Sequence, residues 1–194
     1  MSRKHTKRKQ EKPHSPKRTY QTPLSRIRPA QIRGPRYYLQ HAREYPIFGC
    51  WIYKNWEESG IAPVVVARKQ SLDKVIFAVC LVDIWCLGVK DAFANADFSR
   101  KQFEQELPGL CSNAPQECSP EFAHEIIYGA IEFAEKHGFK PHADFRQQKV
   151  DCVLEPPDAY PRTHNLKFGK GGKPLYVAGP DDDPDEIFES LYDL

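Results

Sequence analysis

"VIFAVCLVDIWC", residues 75–86, decides how this chain folds. Val75 to Val82 is continuously apolar and rich in β-branched and aromatic side chains. A run of this length is short for a helix, and it has no polar face. It reads as a central strand covered on both sides. Just upstream, "APVVVARKQ" (62–70) is a second strand and "SLDK" (71–74) a turn, so the two runs form a β-hairpin. "IFGCWIY" (47–53) reads as a further strand, and "NWEESG" (55–60) as one helical turn or a tight loop.

Downstream, "LGVKDAFANAD" reads as the loop where the central strand leaves the core, within 86–97. Ser99 and Gln102 make a capping box for a short helix that Pro108 and Gly109 end. "SPEFAHEIIYGAIEFAEKHGF" (119–139) is the clearest element. Ser119 caps it, Pro120 opens it, Phe122, Ile126, Ile127, Ala130 and Ile131 share one face, and Gly138 takes the left-handed stop. "VDCVL" (150–154) reads as a strand, and "NLKFG" with "PLYVAG" (165–179) as a second hairpin. "DPDEIFESLYDL" (183–194) closes the chain as a helix capped by Asp183 and opened by Pro184.

Hairpins without βαβ units predict an α+β fold. The expected domain is a mainly antiparallel sheet of two hairpins, with the long amphipathic helix and the C-terminal helix packed on it. Its expected span is 45–194, after a basic arm and transition at 1–44. Large apolar residues are scarce in 1–36 and Lys, Arg and Pro abundant, which predicts disorder.

Three stretches, "IFAVCLVDIWCLGVKD" (76–91), "FAHEIIYGAIEFAEKHGFKPHADF" (122–145) and "KFGKGGKPLYVAGPDDD" (167–183), carry a resemblance to a group of mostly bacterial proteins for which no activity is established. It covers roughly residues 45–185. The resemblance implies that these segments belong to one domain, and it transfers no function, cofactor or site residue.

Charge is segregated along the chain. Residues 1–36 hold 12 Lys or Arg and one acid, Glu11, a net of +11; the remainder holds 16 against 25 acids, a net of −9. A basic arm on an acidic body predicts a polyanionic partner: nucleic acid, RNA ahead of DNA. The residues expected to contact it are Arg3, Lys4, Lys7, Arg8, Lys9, Lys12, Lys17, Arg18, Arg26, Arg28, Arg33 and Arg36. The plain alternative is a solubilising tail, or one folded against its own acidic domain. No stretch approaches the ~20 apolar residues of a membrane span. No apolar segment follows the N-terminal charges as a secretory signal requires. The expectation is therefore a cytoplasmic protein, with its six cysteines reduced and no cofactor.

The first constellation with chemical potential is Asp83, Asp91, His124 and Glu125. Carboxylates at a strand end and on a nearby helix can hold a divalent metal that activates water, as in a nuclease or other hydrolase. Asp83, inside the apolar run, needs a partner: a metal, Lys90 or a cluster of backbone amides. The plainer reading makes Asp83 a structural acceptor and His124 a satisfied boundary residue, and it is the stronger of the two. "HE" at 124–125 lacks the second His of HExxH, since Tyr128 stands there. Cys86 with His124 or His142 is a weak nucleophile–base pair, and Cys111, Cys118 and His124 do not match zinc-site spacing. "GKGGKP" (169–174) is a hairpin turn, because Pro174 replaces the Ser or Thr of a phosphate loop. "KPHADF" (140–145) gathers Lys140, His142 and Asp144 after a helix end, as a functional loop or as an ordinary connection. The ranked functions are a non-catalytic nucleic-acid-binding accessory protein, a metal-dependent hydrolase on the four residues above, and a protein–protein adaptor using the acidic C-terminus.

Overall fold

The computed structural model describes residues 33–179 and 182–192. Ten of the expected arm contacts, from Arg3 to Arg28, and the disorder expected of the arm lie outside these residues. From Arg33 onward the chain belongs to one unit.

Five strands form one antiparallel sheet: β1 (Ile47–Tyr53), β2 (Ile61–Lys69), β3 (Val75–Asp83), β4 (Gly88–Asn95) and β5 (Pro115–Cys118). Their order is β4-β3-β2-β1-β5. β2 and β3 pair along their full length, from Ile61 opposite Asp83 to Lys69 opposite Val75. Side chains alternate across a strand, so an unbroken apolar run fills two layers at once. On one face Val64, Val66, Ile76, Ala78 and Cys80 join Ile126, Ile127 and Ala130. On the other Val65, Ala67, Phe77 and Val79 join Phe103. Each such Val, Ile or Phe stabilises the fold by about 1.5–3 kcal/mol. The fold is thus α+β with helices on both faces of the central strand.

The helices are α1 (Pro35–Gln40), α2 (Trp56–Ser59), α3 (Arg100–Leu110), α4 (Pro120–Glu135), α5 (Asp144–Gln147), α6 (Val150–Val153) and α7 (Pro184–Tyr192). The expected caps form. In α3 the Ser99 hydroxyl accepts from the Gln102 amide while the Gln102 side chain accepts from the Ser99 amide. Ser119 caps α4 through the Phe122 amide. The Asp183 carboxylate accepts from the amides of Asp185 and Glu186 at the start of α7. Ahead of the sheet, Tyr38 and Leu39 pack on the core and Ala42 is fully buried, so the transition segment at 36–46 is docked on the body.

Several elements differ from the sequence reading. The expected exit loop at 86–97 contains β4, because the chain turns at Ile84–Leu87 and pairs back on β3. This edge strand carries Lys90, Asp91 and Asn95, the polar residues that edge strands use and that resemble a loop in sequence. The expected strand at 150–154 is the helical turn α6. The expected second hairpin forms no ladder; only Lys170 and Lys173 pair around a turn. Its backbone instead meets the β3–β4 turn, with the Gly169 amide donating to the Ile84 carbonyl at 2.9 Å and the Leu175 amide to the Trp85 carbonyl at 3.1 Å. The sheet is therefore a four-strand meander with β5 added beside β1, and not two hairpins. α7 lies across a cleft from β4, with none of its described side chains fully buried, and Phe188 stacks edge-on against Tyr176.

Candidate functional site

Asp83 ends β3 with its side chain only 4% exposed. Its Oδ1 accepts from the amides of Trp85 and Cys86 at 2.8 and 3.0 Å, and Oδ2 accepts from the Leu87 amide at 3.3 Å. The four-residue turn would otherwise leave these donors buried and orphaned. Burial pushes the Asp83 carboxyl above the usual carboxylate range; the three amides and the Lys90 charge pull against it. Of the partners expected for Asp83, the backbone amide cluster is the one in contact.

Glu125 and His124, neighbours on α4, are both buried. They anchor the segment that follows α6. Glu125 Oε2 accepts from the Thr163 and His164 amides at 2.9 and 3.0 Å and from His164 Nδ1 at 2.8 Å. Burial raises the Glu125 carboxyl, and the bonds from His164 and Thr163 outweigh it, holding the group below its ordinary value. His124 Nε2 donates to the Pro156 carbonyl at 2.7 Å, with the Tyr160 ring edge-on at 5.1 Å. That carbonyl fixes Nε2 as the protonated nitrogen and leaves buried Nδ1 without a partner among the described residues.

Arg68, which the sequence reading did not single out, joins the same scaffold. It is buried on β2, and its guanidinium donates to the carbonyls of Val153 and Tyr45 at 2.6 and 2.8 Å and to Glu155 at 2.7 Å. In sequence it stands at the end of an apolar run beside Lys69 and resembles an exposed strand terminus. Three distant segments must fold around it before its role is visible.

Asp91 goes elsewhere. On the β3–β4 ladder Leu81 faces Asp91 and Val82 faces Val89, so Lys90 is the extra residue of a β-bulge. The bulge aims Lys90 at Asp182, Nζ to Oδ2 at 2.7 Å. Asp182 is itself held below its usual range: burial raises it, while the Lys90 and Gly179 hydrogen bonds lower it further. The 140–145 loop docks on the open edge of β4, its His142 amide donating to the Val89 carbonyl at 2.8 Å. This places one ligand atom each of Asp91, His142 and Asp144 within 4.8 Å of one another, and among the described residues it is the one such group of His, Cys, Asp or Glu. Asp91 and His142 also line a cleft of about 860 Å³ between β4, the end of α4 and α7.

The four residues proposed from sequence for hydrolase chemistry thus occupy three environments: the β3–β4 turn, the α4 anchor and the β4 edge. Asp91 is drawn toward His142 and Asp144, which the sequence placed in a separate loop. The thiols offer little nucleophilic character, since burial first, then the Asp83 charge, pushes Cys86 up to about 12, and burial puts Cys111 and Cys118 at about 12 as well. All six cysteines are free. Of the expected arm contacts that are described, Arg33 lies over the Tyr37 ring at 4.1 Å and Arg36 is exposed. Lys170 lies over the Trp85 ring at 4.3 Å. Among the described residues no helix is long and apolar enough to cross a membrane.

No protein-family model, no curated protein and no solved structure matches this chain.

Proposed function

We propose that this is a non-catalytic nucleic-acid-binding accessory protein of the cytoplasm, which grips backbone phosphates, of RNA ahead of DNA, with its basic N-terminal segment. The observation that carries this reading is the charge division, +11 over residues 1–36 against −9 over the rest. A polycation binds phosphate through counterion release, whereas a body of the opposite sign repels it. The engagement of Asp83, His124 Nε2 and Glu125 in structural hydrogen bonds supports a non-catalytic body, because each bond holds a turn or the segment after α6 in place. The test is capture of nucleic acid by the full chain from total cellular nucleic acid, with sequencing of what is retained, beside a chain lacking residues 1–32. Recovery of RNA of mixed sequence by the full chain alone supports the reading. Absence of any retained nucleic acid at low salt removes it.

A further inference from the structure

We propose that Asp91, His142 and Asp144 form a binding site for a first-row divalent cation at the mouth of the β4–α7 cleft. This goes beyond phosphate binding by the N-terminal segment and does not depend on it. Two carboxylates and one imidazole offer a ligand atom each within 4.8 Å. Ligands bonded to one ion at about 2.0–2.2 Å stand roughly 3–4.4 Å apart, so a small rotation of exposed side chains completes the set. The mixed oxygen and nitrogen donors suit manganese, iron or zinc; calcium and magnesium take oxygen ligands.

The backbone brings the three together. Asp91 directly follows the bulge residue Lys90 on β4. His142 is tied to the same strand by its amide bond to Val89, and Asp144 opens α5, whose Phe145 is buried. The Asp144 amide donates to His142 Nδ1 at 3.4 Å, which orients the ring against the turn. The charge balance also favours a cation. Among the described residues neither Asp91 nor Asp144 forms an ion pair with Lys or Arg, and Lys90, adjacent to Asp91, is committed to Asp182. Two carboxylates this close, with only an imidazole between them, repel one another until a cation enters. His142 and Asp144 side chains are 48% and 34% exposed, so positions opposite the three ligands stay open to water or to an oxygen donor seated in the cleft.

The experiment is titration of the full chain with Mn²⁺, following loss of the free-ion electron paramagnetic resonance signal. Mn²⁺ avoids thiols, so the six free cysteines do not compete. The expected result is one Mn²⁺ per chain. Asp91→Asn, Asp144→Asn and His142→Gln should each weaken binding at least about tenfold, with melting temperatures in the absence of metal within about a degree of the parent. Mn²⁺ should raise the melting temperature of the parent and not of these variants, since a ligand that binds only the folded state stabilises it. Asp185→Asn with Glu186→Gln, on acidic α7, should leave binding unchanged. No Mn²⁺ bound at millimolar concentration overturns the proposal. So does binding that survives the Asp91 and Asp144 substitutions, or that is lost with the α7 pair instead.

Discussion

Three amides converge on the carboxylate of Asp83, and each would lose its acceptor if that side chain were removed, those of Cys86 and Leu87 in the interior. An orphaned buried donor costs about 1–3 kcal/mol. Asp83→Ala should therefore lower stability by about 3 kcal/mol or more, while exposed Asp91→Ala should stay within about 0.5 kcal/mol. Asp83→Asn should cost less than Asp83→Ala, because its carboxamide oxygen still accepts from Trp85 and Cys86. Urea unfolding of the three variants checks this, and equal costs for Asp83→Ala and Asp91→Ala would contradict it. Glu125 provides the pH-dependent counterpart. Its folded-state pKa is lowered, so its ionised form adds stability that is fully present above the unfolded value of about 4.3 and is lost as pH falls through the folded value. The stability gap between the parent and Glu125→Gln should be constant from pH 7 to about 5.5 and should shrink below about 4.5, read as melting temperature against pH. The apolar run marks Asp83 as a buried carboxylate needing a partner. Arg68 carries no such signal, because its partners at Tyr45, Val153 and Glu155 share no local spacing with it.

At the level of elements, two glycines at positive φ separate backbone strain from close packing. Gly138, at φ 84, stops α4 and has nothing within 4 Å of where a Cβ would stand. Gly88, at φ 71, opens β4, and a Cβ there would lie 2.9 Å from the Ala134 Cβ and 3.1 Å from the Ala130 carbonyl oxygen. Gly138→Ala should cost about 1 kcal/mol, for the left-handed backbone alone. Gly88→Ala adds displacement of α4 from the sheet and should cost about 2–4 kcal/mol. Denaturant midpoints of the two variants decide it; matching losses would mean that α4 yields freely. The elements that sequence reading recovered have a long period or a cap: β2 and β3 by their apolar runs, α3, α4 and α7 by Ser99, Ser119 and Asp183. β4 was hidden because edge position favours Lys90 and Asp91, and α6 because four residues are too few to show a helical period. The candidate cation site was legible only in halves. Asp91 and the His142–Asp144 loop are joined by a bulge and one backbone bond across 53 residues, from Val89 to His142, and no local pattern announces that contact.

At the scale of the molecule, charge divides the chain into a basic N-terminal segment, +11 over residues 1–36, and an acidic body, −9 over the rest. A chain of residues 33–194 should fold with a melting temperature close to that of the full chain, because the whole sheet and both core clusters of the described residues are built from residues after Ile32. Phosphate binding by the N-terminal segment is measured by the affinity of both chains for single-stranded RNA and duplex DNA across a salt series. Each neutralised phosphate contributes roughly 0.7–0.9 to the log–log slope. With 12 basic residues in 1–36, about half engaging at once, the full chain should show a slope of about −4 to −6 and little sequence preference. The shortened chain should not bind measurably. Binding by the shortened chain as tight as by the full one, or a flat salt response of the full chain, would mean that residues 1–36 are not the phosphate-binding element.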